Sequence, residues 1–452
     1  MKLAQYLCYP SLNLFLFHLK EGLGESNQKI LANHHVFWTN LPAEIKVDLE
    51  TESRTKNPEF TRLLELTQGK KTYPLKVAQM KGFKIGGYYY PVLLNDTYGL
   101  LLDICVEEKQ KPIGVRCFPE LKEVISDRKG DLGKTWMISG YLPDSSASPQ
   151  EIAAASYYYF TGKEWQDAKV HPGKFLGADI FEVWQSSPDW KSIEEDEEER
   201  NTILIIIYPN QKVMDEASRF YDYWINLLSC RHKILWAYNQ SRIYSEKLQR
   251  QLSLLNETIE VLNHSKLDLA TLKKNLASFS NYVIELEQLE TLNQSLEVNL
   301  YNYRTWVSNI STRASQVGET NLKFLEELNE VVTQQYQKQI RQDYSSFKSG
   351  LQILASLRDT IKGMVEIEQA ESDRRIENLV AAAGIGVGTA SAAASASSAL
   401  IKDFSQFYPI KLDRRLPIAE PLSNLIVVLL FSIGLGLLTG WLSWKILQRD
   451  RE

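Results

Sequence analysis

Cysteine is scarce. Cys8, Cys105, Cys117 and Cys230 are the only four in 452 residues, and none sits at CxxC spacing. That argues against a disulfide framework or a zinc site and fits a reducing cytosol. Global charge is also lacking. The formal net charge of −5 comes from 51 basic and 56 acidic residues. It carries no nucleic-acid signature, so direct nucleic-acid binding is not expected. Catalytic signatures are missing as well. No HExxH or GxSxG occurs, and His18, His34, His35, His171, His232 and His264 form no three-ligand cluster in sequence. They read as ordinary surface or half-buried residues. Gly130-Asp131-Leu132-Gly133-Lys134-Thr135 resembles the end of a phosphate-binding loop, but Arg128 stands where the first glycine is required. The WMISGY that follows reads as a strand, where phosphate needs a helix N-terminus. Gly384–Gly388 has the wrong pattern for a dinucleotide fingerprint. No enzyme activity, metal or cofactor is expected.

Proline is absent from Lys212 to Tyr408, and this divides the chain. Residues 1–210 read as an α+β cytosolic sensor or globular domain. Its strand-like runs are Gly87–Asn95, Gly99–Val106, Thr135–Tyr141 and Thr202–Tyr208, rich in β-branched and aromatic residues. Asn95–Gly99 reads as a hairpin loop, and Glu59–Leu66 as a short helix. The acidic run Glu194–Glu199 reads as a solvated loop. The apolar N-terminal run is broken by Gln5, Pro10, Asn13 and His18 and lacks a cleavage site, so it is placed in the cytoplasm.

Residues 211–377 repeat apolar positions every three or four. Examples are Leu272, Leu276, Phe279, Val283 and Leu286, then Leu325, Leu328, Val332, Tyr336 and Ile340. This spacing predicts a long antiparallel α-helical, coiled-coil-like stalk of three helices over 212–263, 268–313 and 320–377. Asp268 and Thr320 are the expected N-caps. The aromatic segment Phe220–Tyr238 is expected to dock the first helix on the N-terminal domain, with Lys233, Arg242 and Lys247 on a solvated face.

Two windows then lack charge altogether. Residues 378–401 are dominated by Ala, Gly and Ser. Gly384, Gly388, Ala392 and Ala396 fall four apart, and Thr389, Ser391, Ser395 and Ser398 add hydroxyls. The spacing fits a pore-side membrane helix; the alternative is a soluble linker. After a loop at 402–420, residues 421–445 read as a second transmembrane helix, charge-free up to Lys445, with a Ser432–Gly436–Gly440 packing face. A basic tail, 446–452, closes the chain. The windows predict a C-terminal two-helix transmembrane hairpin in a homo-oligomer, with both chain ends in the cytoplasm of the cell's inner membrane.

This order of zones resembles the CorA-like two-span channels, by layout over about residues 212–452. The family's Gly-Met-Asn motif is absent: the corresponding end reads Ser397-Ser398-Ala399-Leu400-Ile401-Lys402-Asp403. The resemblance implies a pentameric membrane channel or effector, gated by its cytosolic domain through the stalk. Relatives lacking the motif include membrane effectors of prokaryotic antiviral defence that sense a small nucleotide signal. The competing expectation is a tail-anchored coiled-coil scaffold or tether at the membrane.

Overall fold

A computed structural model describes residues 5–20, 27–47, 72–75, 82–125, 127–144, 148–166, 169–184, 202–264 and 269–368. Two compact units emerge. The first joins Met1–Ile243 with Thr291–Gln342, and the second joins Tyr244–Glu290 with the chain from Asp343 onward.

The first unit is built on a nine-stranded mixed sheet. Its strands are β1 (Tyr6–Leu19), β2 (Tyr73–Pro74), β3 (Ile85–Leu94), β4 (Thr97–Val106), β5 (Pro112–Gly114), β6 (Gly133–Tyr141), β7 (Val170–Phe175), β8 (Ala178–Trp184) and β9 (Thr202–Tyr208). The order is β2-β3-β4-β1-β6-β9-β8-β7, with β5 also paired to β1. Only β6 and β9 run parallel; the other pairs are antiparallel. The central position of β1 explains its composition. A strand covered on both faces needs near-continuous apolar residues, and Leu12 to Leu19 are all buried. Pro10 is tolerated there because the ladder shifts register between Cys8 and Ser11, a bulge that puts Tyr9 at φ 50°.

One sheet face packs on three helices: α1 (Asn27–Thr39), α2 (Phe118–Ile125) and α3 (Pro149–Thr161). Leu12, Leu14, Leu100, Leu102, Ile138, Ile203 and Ile205 meet Phe37, Phe118, Leu121, Ile152 and Phe160 in this core. Local signals set α3. Ser148 accepts from Glu151 N, Pro149 opens the first turn, and Gly162 ends the helix at φ 72° by donating to Tyr158 O.

The opposite face receives the start of the helical region that follows the sheet in sequence. α4 (Gln211–Ala217) starts on Asn210, whose side chain accepts from Val213 N. α5 (Tyr221–His264) and α6 (Leu269–Ser315) follow, then α7 (Lys323–Val331), a π-helical segment (Val332–Tyr336) and α8 (Gln337–Glu368). Phe220 and Trp224 sit edge-on to Phe175, and Tyr221 lies against Phe15. Tyr238 stacks on Tyr336 at 3.9 Å.

These contacts correct the expected fold class. The sheet and helices are not an α+β domain followed by a separate stalk. Residues 221–243 and 291–342 belong to the same unit as the sheet, so a long coiled-coil stalk does not describe them. The apolar periodicity is real, but the start of its stripe covers a sheet face. The third expected helix is also interrupted, by the π-helical segment. It begins at Lys323 on Leu322, not on Thr320, whose hydroxyl accepts from Leu176 N instead.

The second unit contains the remaining parts of α5, α6 and α8. Tyr282 is fully buried there and donates to Phe347 O at 2.6 Å. Gln251 donates to Glu285, and Ser245 to Asp343.

The transmembrane expectation is corrected too. No helix among the described residues is long and apolar enough to cross a membrane. The proposed spans, with Gly384, Gly388, Thr389, Ser391, Ala392, Ser395, Ala396, Ser398, Ser432, Gly436 and Gly440, lie outside the described residues. So do Glu59–Leu66, the Glu194–Glu199 run and Asp268.

Candidate functional site

The face of the sheet that receives α5 carries polar groups where a core would be apolar. Register explains which ones meet. Tyr88, Asp103, Asn13, Met137, Leu204 and Glu182 pair in turn across β3, β4, β1, β6, β9 and β8. They form one cross-sheet row on one face. Three polar residues cluster at one end of that row, and a carboxylate stands at the other.

At the first end, Asp103 and Asn13 are buried, at 8% and 0% exposure. Tyr221, at the start of α5, donates to Asn13 Oδ1 at 3.1 Å. Asn13 Nδ2 and Asp103 Oδ1 fall short of strict hydrogen-bond geometry with any group, but the two side chains stand on paired residues and the Asn13 amide acts on the Asp103 carboxyl as a donor. Burial pushes the Asp103 carboxyl up to about 7, and the Asn13 amide offsets part of the rise. Tyr9, Tyr88 and Tyr221 are half-buried around this pair, and their phenols are raised by burial and by the Asp103 charge. Cys105 lies two residues along β4, with Sγ 3.2 Å from Tyr9 Oη, and burial lifts its thiol to about 12. An inert, protonated cysteine follows. The result is a buried polar cluster of a carboxylate and an amide, with three half-buried phenols around it.

At the other end, Glu182 and Arg231 of α5 form a buried ion pair. Next to Arg231, His232 is buried and shares a 2.8 Å hydrogen bond with Thr135. Burial, aided by the Arg231 charge, drops the His232 imidazole to about 3, so it stays neutral. Lys233 is not on a solvated face: it binds Asp96 in the β3–β4 turn at 2.5 and 2.7 Å. Tyr90 adds a bond to Asp222 at 3.4 Å. The first third of α5 therefore touches the sheet through five polar contacts: Tyr221–Asn13, Asp222–Tyr90, Arg231–Glu182, His232–Thr135 and Lys233–Asp96.

The apparent phosphate loop is a turn into β6. Asp131 accepts from Leu19 N and lies 3.3 Å from His18, while Thr135 serves His232. Among the described residues no His, Cys, Asp or Glu group could hold a metal ion. Sequence reading had treated all six histidines as surface or half-buried, whereas His18 and His232 are fully enclosed. It gave Asp103 no role and read Asn13 only as a break in the apolar N-terminal run. The available signal was a single acid inside an apolar strand, GLLLDICV, and an asparagine inside LNLFLF.

Fold and site together define a mixed sheet with helices on both faces and a buried polar cluster, flanked by tyrosines, under the start of α5. Comparison with known protein families, curated proteins and solved structures finds no match.

Proposed function

We propose that the chain is a non-enzymatic, self-assembling effector that responds to a small-molecule signal. The sheet unit receives the signal, and the helices from Tyr221 onward relay it. The residues beyond Glu368 deliver the output at a lipid surface. The observation that carries this reading is the polar seating of α5. A helix held by apolar contacts alone tolerates small shifts, whereas buried hydrogen bonds and ion pairs are directional and have discrete arrangements. A change at these contacts therefore acts on a helix that runs on to His264. The lipid surface is inferred from the charge-free residues 421–444.

Vesicle flotation of the full chain, with its mass measured in parallel, tests the reading. The expected result is a multimer that floats with phospholipid vesicles, and a Leu430→Arg/Leu438→Arg variant that does not. A monomer that stays in the dense fraction sinks it. The scaffold reading has its own support in Leu254 and Ile284, exposed apolar residues on α5 and α6 in the second unit. It expects soluble partner proteins, with no response to a small molecule.

A further inference from the structure

We propose that His18 is a proton switch: a second proton on its imidazole releases the turn Lys129–Leu132, which leads into β6 beside the seat of α5. The switch goes beyond the signal reading above and does not depend on it.

His18 lies near the end of β1, and it is fully buried. Asn40, just past α1, reads the protonation of the ring because the backbone fixes its amide. Lys129 N donates to Asn40 Oδ1 at 3.2 Å, and Asn40 Nδ2 donates to Lys129 O at 3.1 Å. An amide held at both ends has one orientation. Its Nδ2 therefore presents a hydrogen to His18 Nε2, 3.0 Å away. Nε2 must accept, so the neutral ring carries its proton on Nδ1. Nδ1 lies 3.3 Å from Asp131 Oδ1, short of full hydrogen-bond geometry, and Asp131 also accepts from Leu19 N.

A second proton enters at Nε2, where it meets the hydrogens of Asn40 Nδ2. Turning the amide over would offer Oδ1 to the imidazolium. It would also set Nδ2 against Lys129 N–H and Oδ1 against Lys129 O. No orientation serves both the charged ring and the Lys129 backbone, so the turn lets go. The Asp131 carboxylate supplies the counter-charge for a charged ring in this buried place. Two further titratable groups stand on this side of the ring. Tyr98 is the residue of β4 paired with His18, and the His34 ring of α1 lies 5.9 Å from the Tyr98 ring. Lys129 takes part through its backbone. The turn continues to α5. Leu132 N donates to Phe17 O, the Phe17 ring lies 5.3 Å from the His232 ring, and Gly133 has no room for a Cβ beside His232.

Hydrogen exchange of single backbone amides in the full chain, corrected for intrinsic rate, tests this at about pH 7.5 and about pH 5.5, a range in which histidine changes charge. The Lys129 and Leu132 amides are expected to lose about tenfold or more of their protection in acid, the loss of one hydrogen bond each. His18→Gln, uncharged at both pH values, is expected to keep its protection, and His34→Gln to lose it as the parent does. Where circular dichroism shows His18→Gln unfolded, Asp131→Asn is the second variant. It keeps the shape of the turn without the counter-charge and is expected to lose protection only at a lower pH than the parent. The proposal is overturned if the parent's Lys129 and Leu132 amides are equally protected at both pH values. It is also overturned if His18→Gln loses protection with the parent, or if Asp131→Asn responds at the parent's pH.

Discussion

Asp103→Asn separates the role of the carboxylate from the stability of the sheet. A carboxyl normally titrating near 3.8 is pushed up to about 7 by burial. At roughly 1.4 kcal/mol per unit, the ionised group costs the folded state on the order of 4 kcal/mol, taken as an upper figure. The sign follows from linkage. Well below pH 4 the acid is protonated in both folded and unfolded chains and costs nothing. Between about pH 4 and 7 the unfolded chain releases its proton first, so stability falls as pH rises. Above 7 the full cost is present. A neutral amide of the same shape removes this dependence. Asp103→Asn is therefore expected to be the more stable protein near pH 8, by a few kcal/mol, and to match the parent near pH 4. Urea unfolding followed by tryptophan fluorescence measures it, since Trp136 and Trp224 are both buried in the sheet unit. A variant no more stable than the parent near pH 8, or a difference that does not change with pH, would refute the burial argument.

The other buried groups make separable predictions. Glu182→Ala leaves Arg231 charged and enclosed and should destabilise by about 3–5 kcal/mol in the same unfolding assay, whereas Glu182→Leu with Arg231→Met should cost little or stabilise. His232, lowered to about 3 from 6.5, contributes stability that is full above pH 6.5 and lost as pH falls toward 3. His232→Gln should flatten that acid limb in a pH series of melting temperatures. Gly133 holds φ 138°, and a Cβ there would lie 2.4 Å from His232 Nδ1. Gly133→Ala should therefore destabilise by roughly 1–3 kcal/mol or prevent folding, which circular dichroism and thermal melts distinguish.

Local signals made much of the sheet legible in the sequence. The run Thr202–Tyr208 forms β9 at the same limits, because seven β-branched, aliphatic and aromatic residues between turn signals leave little else to form. The Asn95–Gly99 turn was visible too, although it is tighter: Asn95 takes φ 56° and β4 already begins at Thr97. The most central strand was hidden. Residues 6–19 alternate poorly because both faces are covered, and Pro10 argues against a central strand unless a bulge accommodates it. The helical zone misled for a physical reason. An apolar stripe has the same period whether it faces another helix or a sheet, so periodicity called Tyr221–Ile243 a stalk. The polar cluster was illegible because its residues, Tyr9, Asn13, Tyr88, Asp103 and Tyr221, are far apart in sequence and meet only through strand register and the landing of α5.

Hydrogen exchange of the full chain and of its Asp103→Asn variant near pH 8 tests most directly whether the sheet speaks to the helices. The account predicts altered protection on β3 and β4 around Tyr88 and Asp103. It also predicts altered protection in the variant along α5 past residue 243 and on the facing part of α6, Tyr282–Glu290. Protection changes confined to the strands, with α5 and α6 unaltered, would contradict it.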